Sequence, residues 1–265
     1  MVGTRWRNDK YITTWRQFWK LFKPKGCSLL KRLDEFPNSI LVTGCQRSGT
    51  TLLSRIINES DEITKYWFGP DDELDAALIL SGYVEHEPQG RYCFQTTYVN
   101  ECYHEYFKYN NRHKIIWVLR NPFSVIYSML YNWNDGSLNE LYRSCGEHII
   151  SGRDKWISSI IGETGISRLR KACWAYKGKS SQIFELYNML GESSLLMIDY
   201  DDLVKNKERV LRKIYRFVNL YYRPRYTEDI HSKSLKKTQY LSHRELEVVK
   251  ELCESDYLRA MTLLS

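Results

Sequence analysis

The chain has 265 residues, of which 43% are hydrophobic and 27% charged, with a formal net charge of +7. That length and apolar content exclude a disordered chain and favour one large domain. No apolar run reaches the roughly 18 to 20 residues a membrane span requires, and "MVGTRWRNDKYITTWRQFWKLFKPK" holds no uninterrupted apolar signal region, so a soluble protein is expected.

Seven cysteines, odd in number and without a CxxC pair, read as scattered reduced thiols, with neither a disulfide framework nor a zinc site. A cytoplasmic location follows from that reading. The charge is uneven. Residues 1–36 carry nine Lys/Arg against three Asp/Glu, and residues 203–244 carry twelve against three. Between them, residues 59–87 hold nine acids and one base, Lys65. Such blocks suit solvated surface, or a protein that handles a polyanion with one region and a cation with another.

Residues 1–37 form a basic, tryptophan-rich extension (Trp6, Trp15, Trp19) in which Trp15, Phe18, Trp19 and Phe22 share one helical face. That face packs on the core, on a membrane surface or on a partner. With no internal repeat or low-complexity linker, residues 38–265 read as one domain. There, "ILVTGCQRSGTTLLSRIINES" opens with a β-branched run, passes through a glycine loop and ends in a segment with apolar residues at helical spacing. The loop has P-loop spacing: Gly44, four residues, Gly49, then Thr50 and Thr51. Thr50 stands where that motif has lysine. "RYCFQTTYV" reads as a strand. "KIIWVLRNPFSVIYSML" reads as a buried strand, then Asn121 as a cap and Pro122 in the first turn of a helix. A helix near Arg168–Leu190 leads to the strand in "SLLMIDYDDLV", and an amphipathic helix runs from Lys207 to Val218. "SHRE" is a capping box opening a terminal helix. Strands alternating with helices predict an α/β fold with a mainly parallel central sheet flanked by helices, P-loop-like.

In such a sheet, ligands sit at the carboxyl ends of strands, so the loop after Thr43 and the turn after Leu119 face one crevice. Backbone N–H groups from Arg47 to Thr51, with the Thr50 and Thr51 hydroxyls, offer donors for a terminal phosphate. Without the lysine, much of a triphosphate's charge is unopposed, so the loop suits a phosphosulfate better.

"TGCQRSGTTLL" resembles the 5′-phosphosulfate loop of sulfotransferases that use 3′-phosphoadenosine 5′-phosphosulfate (PAPS). "VLRNPFSVIYS" resembles their 3′-phosphate element, an arginine ending a strand with a serine eight residues on. "LLMIDYDDLVKNKERVLRKIYRFVNL" resembles the later Tyr-Glu-Asp-Leu segment. Together these motifs, running from about residue 39 to the C-terminus, identify the chain as similar to small-molecule or carbohydrate members of that family. The resemblance implies the sulfotransferase fold, PAPS as co-substrate, 3′,5′-bisphosphate (PAP) as product and no metal. Residue by residue, it implies that Arg47 neutralises the sulfuryl and bridging oxygens. Ser48, Gly49, Thr50 and Thr51 cradle the 5′-phosphate, and Arg120 and Ser128 grip the 3′-phosphate. Tyr200 reaches the adenine. Lys236 and Lys237 stand in the late basic loop, although "HSKSLKKTQY" lacks the usual glycines. The cytosolic dimerisation pattern does not occur, so the oligomeric state stays open.

Cytosolic members carry Lys-Thr-His before the arginine, with histidine as base; here the comparable residues are Gln95, Thr96 and Thr97, and threonine is no general base. Glu85 or His86 in "VEHEPQG" is the expected base, with His104 and Glu105 behind them. The acidic segment from Glu59 to Glu87 falls where the family builds its acceptor pocket. It suggests a cationic small-molecule acceptor, with an amine or a saxitoxin-type guanidinium, against a carbohydrate or lipid alternative. A degenerate P-loop kinase or ATPase and a nucleic-acid-binding module are the rival readings. No nucleic-acid motif appears, and neither a nucleic-acid partner nor a membrane span is expected.

Overall fold

The computed structural model describes residues 4–6, 11–228 and 230–264. In chain order come β1 (Thr4–Trp6), α1 (Trp15–Phe22), β2 (Ile40–Gly44), α2 (Thr50–Asn58), α3 (Asp72–Leu80), β3 (Val84–His86) and β4 (Cys93–Gln95). They are followed by β5 (Lys114–Leu119), α4 (Pro122–Tyr131), α5 (Asp135–Leu141), α6 (Gly152–Ile161), α7 (Arg168–Ser194) and β6 (Leu195–Asp199). Last are α8 (Tyr200–Lys205), α9 (Lys207–Phe217), α10 (His243–Val249) and α11 (Ser255–Met261).

Four strands form a fully parallel sheet in the order β4-β2-β5-β6. Its centre is near-continuously apolar because both faces are covered. Leu41, Ile115 and Trp117 point to one side, where α3 and α7 close over them; Ile40, Val42, Ile116 and Val118 point to the other, against α2 and α9. The period of two therefore feeds two cores from one strand. Asn121 caps α4 by accepting from the Phe123 amide with Pro122 in the first turn, and Ser242 with Glu245 closes the expected capping box. The strand expected over Arg91–Val99 is cut to Cys93–Gln95. Beyond Gln95 the chain winds into a 3₁₀ segment, Thr97–Tyr109, and the polar side chains of the cut end serve a site instead of a ladder.

The N-terminal helix packs on the core. Phe18 and Phe22 are buried, while Trp15 and Trp19 sit half-buried at its edge. The side chain of Trp6 lies outside the described residues. Beyond α1, Cys27 is bonded to Cys102 in a disulfide, and the Glu105 carboxylate accepts from the amides of Leu29 (2.8 Å) and Leu30 (2.7 Å). This corrects the reading of all seven cysteines as reduced thiols. Two residues 75 apart in sequence are brought to a Cα separation of 5.2 Å, which spacing along the chain does not reveal. The remaining five cysteines are free and buried. Disulfides persist in oxidising compartments, so the cysteines no longer argue for the cytoplasm. Among the described residues no helix is long and apolar enough to cross a membrane.

Lys179 of α7 is fully buried, its Nζ without a hydrogen-bond partner, 6.0 Å from the Trp117 ring centroid. Burial lowers its pKa. An ammonium in that place is a cost the core offsets elsewhere.

Two outcomes check these features. Alkylation of the unfolded, unreduced protein labels five of the seven cysteines, and Cys27→Ser/Cys102→Ser loses about 2–4 kcal/mol of stability in denaturant titration. Seven labelled cysteines sink that assignment. Lys179→Met raises the Tm, corresponding to about 1–3 kcal/mol. Because the folded-state pKa of the lysine lies below its unfolded value, the wild type gains stability as pH rises, so the gap to Lys179→Met narrows toward alkaline pH. A gap that widens contradicts it.

Candidate functional site

The loop between β2 and α2 turns on three left-handed residues, Gly44, Arg47 and Gly49, with φ of 145°, 71° and 104°. At Gly49 a Cβ would lie 2.1 Å from the Tyr200 ring, so only glycine lets α8 close on the loop. Arg47 is not glycine, and its backbone is strained. Two contacts hold it there. Arg120 Nη1 donates to the Arg47 carbonyl (3.2 Å), and Arg47 Nε donates to Ser128 Oγ on α4 (3.0 Å). The Tyr176 hydroxyl in turn donates to the Arg120 carbonyl (2.9 Å).

Arg120 is buried, its guanidinium 4.3 Å from the Tyr200 ring centroid and 3.8 Å from the Asp201 carboxylate. Burial lowers the pKa of Arg120, with the neighbouring Arg47 adding to the shift; desolvation lowers Arg47 as well. Burial likewise pushes Asp199 up to about 6 and raises Asp201. The two arginines stand together, joined through the Arg47 carbonyl, but Arg47 lines the large cavity at the loop whereas Arg120 does not. The Ser48 hydroxyl is buried with no hydrogen-bond partner, and the Ser48 amide bonds back to the Cys45 carbonyl (3.1 Å). The donors the loop leaves are thus the first-turn amides of α2 that follow, with the Thr50 and Thr51 hydroxyls.

From the cradle opens a cavity of about 1280 Å³, bounded by Arg47, Thr50, Thr51, Glu73, Gln95 and Thr97, with α1 and α5 forming its outer walls. Gln95 ties it together. Its Nε2 lies 3.3 Å from Thr50 Oγ1, 3.1 Å from Thr51 Oγ1 and 2.9 Å from Glu73 Oε2. The other Glu73 oxygen accepts from the Thr97 hydroxyl and the Tyr98 amide. Burial pushes Glu73 up to about 8, with Asp71 and Asp72 adding to it and the Thr97 and Tyr98 donors opposing. A carboxylate of that kind, set beside an anion cradle, is placed to take a proton near neutral pH.

The expected bases stand elsewhere. Glu85 is exposed on β3, and His86 is buried between the rings of Phe36 and Tyr92, with its pKa lowered by burial; neither lines the cavity. His104 faces Glu185 (3.5 Å) on the surface, and Glu105 is spent on the Leu29 and Leu30 amides. Glu73 counted in the sequence only as one of nine acids. Its role comes from α3 folding over Gln95, which no spacing reports. Of the late basic loop, Lys236 is exposed on a 3₁₀ segment, Ser232–Tyr240, and the Tyr240 ring at its end lies 5.8 Å from Tyr127 of α4. The Lys237 side chain lies outside the described residues.

The acidic run is largely committed to structure. Asp71 caps α3 and accepts from the Trp15 indole (2.9 Å), Asp75 accepts from the amides of Phe68 and Gly69, and Asp61 pairs with Arg223. Asp72 faces Arg55 at 3.4 Å, and Glu59 faces Lys65 at 3.1 Å.

A family model described as the sulfotransferase domain matches residues 37–260. No curated protein matches the chain. Among solved structures, the sulfotransferase domain from the curacin biosynthetic pathway is similar in fold at 16% identity and a TM-score of 0.51, over 87% of this chain and 98% of that one. A sulfotransferase from Alicyclobacillus acidocaldarius aligns at 16% identity and a TM-score of 0.49, over 86% and 95%. A mouse sulfotransferase complexed with PAP aligns at 16% identity and a TM-score of 0.45, over 89% and 92%.

Proposed function

The chain belongs to the sulfotransferase domain family, and on that premise we propose that it transfers a sulfuryl group to an acceptor hydroxyl, with Glu73 as general base. The observation that carries this reading is the bridge through Gln95, which joins the Glu73 carboxylate to the Thr50 and Thr51 hydroxyls of the cradle. PAPS, the co-substrate the family implies, supplies the sulfuryl group.

The chain's own residues fit that co-substrate. Thr50 and Thr51 line the cavity beside Arg47 at the start of α2, and their hydroxyls with the first-turn amides are the donor set a phosphate takes. In this reading Thr50, Thr51 and the first-turn amides of α2 hold the 5′-phosphate side, and Arg47 faces the oxygens on which charge develops. Ser128 and Arg120 hold the ribose phosphate, with Lys236 of the C-terminal segment as a further cation for it. Tyr200 takes a different part from the one its motif suggested. Only 5% exposed, it wedges Arg120 against Gly49 and sets the guanidinium's position.

Glu73 accepts the acceptor's proton as the oxygen attacks, and the three donors around it hold its orientation. The cationic, saxitoxin-type acceptor loses its support, because the acids that suggested it are capping helices and pairing with arginines. A hydroxyl-bearing acceptor, the carbohydrate alternative among them, suits the site better. The division into an extension, 1–37, and a catalytic domain, 38–265, belongs to this proposal with one amendment: α1 contributes a wall of the site.

Two measurements test the assignment. Glu73→Gln lowers kcat/KM by about 10²–10⁴-fold with PAP affinity retained. In the wild type, kcat/KM climbs with pH and levels above about 8, because only the ionised carboxylate accepts the proton; a Glu73→Gln enzyme as fast as wild type rules Glu73 out. Arg120→Ala weakens PAP by about tenfold or more, whereas Arg47→Ala depresses turnover more than PAP binding, since PAP lacks the sulfuryl group. The reverse pattern would exchange the two roles.

A further inference from the structure

The sulfotransferase reading leaves open what the outer part of the cavity recognises, and the inference below rests on that reading. On α1, Arg16, Lys20 and Lys23 stand at i, i+4 and i+7, so they form one stripe, and all three line the cavity with Trp19 beside them. Most charges around them are already engaged. Lys23 reaches across to Glu140 of α5 (3.0 Å), Arg143 pairs with Glu163 (2.7 Å), and Arg55 faces Asp72. Asp71 holds the Trp15 indole and the first turn of α3, while Glu73 is held by Gln95, Thr97 and Tyr98.

Arg16 and Lys20 are different. Both are exposed to the cavity, and neither has a hydrogen-bond or ion-pair partner among the described residues. They do not hold α1 in place. That is done by Phe18 and Phe22 in the core, by the Trp15–Asp71 bond, by the Lys23–Glu140 pair and by the disulfide just beyond the helix. Trp19 lies beside their stripe in the cavity lining, half-buried, its ring stacked on Trp15 at 6.2 Å and 27°. A ring platform with two uncommitted cations alongside it, on a wall fixed by other contacts, is a recognition surface for an anion attached to a ring.

We infer that the α1 wall is the acceptor subsite, and that it selects an acceptor whose ring rests on Trp19 and bears a carboxylate, sulfate or phosphate between Arg16 and Lys20. The acceptor's nucleophilic hydroxyl then points inward to Glu73, which lines the same cavity. Charge of this sign reverses the cationic acceptor suggested by the acidic run. The acids sit in that run, but the free charge sits on α1.

The test uses PAP-saturated full-length protein and matched probes: a glucuronide and its glucoside, a sulfated disaccharide and its unsulfated parent, and a phenolic phosphate and its neutral phenol. Binding is followed by tryptophan fluorescence and transfer with labelled PAPS. In at least one pair the anionic member binds about tenfold or more tighter than its neutral partner, and the difference shrinks with added salt. Arg16→Ala/Lys20→Ala removes that difference by raising KM while leaving kcat and PAP affinity near wild type. Selectivity confined to the sugar pairs or to the phenolic pair identifies which ring the platform takes. Equal binding within every pair, or a preference that survives the double substitution, overturns the inference while leaving the sulfotransferase assignment intact. A wild-type protein that binds no PAP and consumes no PAPS overturns both.

Discussion

One bond organises the site: the guanidinium of Arg120 reaches back to the carbonyl of Arg47. It exists because β2 and β5 are parallel neighbours in register, Gly44 opposite Val118, so that the chain leaves both strands on the same side of the sheet. The bond helps hold Arg47 in a left-handed backbone that would cost on the order of 1 kcal/mol if unsupported. With the Gly49–Tyr200 contact it ties the loop to the turn after β5 and to α8. It also brings together two cations, both desolvated by burial, and like charges so placed favour an anion beside them.

The acidic end of the cavity obeys the complementary rule. Glu73 sits among donors that favour its ionised form and in surroundings that oppose it, and burial wins, leaving it near the middle of the useful range. Gln95 couples this group to the cradle. Its amide cannot titrate, so it transmits position without competing for the proton. A side chain in the place of the lysine of the family's Lys-Thr-His thus orients the carboxylate proposed as base, which comes from another helix.

The N-terminal extension is part of this arrangement. A helix of eight residues is marginal alone, and α1 is held by two buried phenylalanines, two polar links across the cavity and a covalent link to the 3₁₀ segment after β4. Those anchors engage the core and the far walls of the cavity. They leave the Arg16–Lys20 stripe free to meet solvent or ligand.

Much of this was legible in the chain. Apolar strands, helical periodicity and the caps at Asn121 and Ser242 set out the α/β order, because these signals are local and depend on neighbours a few residues apart. The loop from Gly44 to Thr51 and the strand–turn–helix that carries Arg120 and Ser128 were readable for the same reason, each being one local unit, whereas the bond from Arg47 to Ser128 joins the two units and was not. What the tertiary structure decided were the contacts between segments distant in sequence: Cys27 with Cys102, Glu73 with Gln95 and Thr97, and α1 with α5. A carboxylate's role depends on its desolvation and its donors, and those are fixed only when α3 closes over β4. For that reason Glu85 and His86, equally polar and nearby in the chain, lie outside the cavity that Glu73 lines.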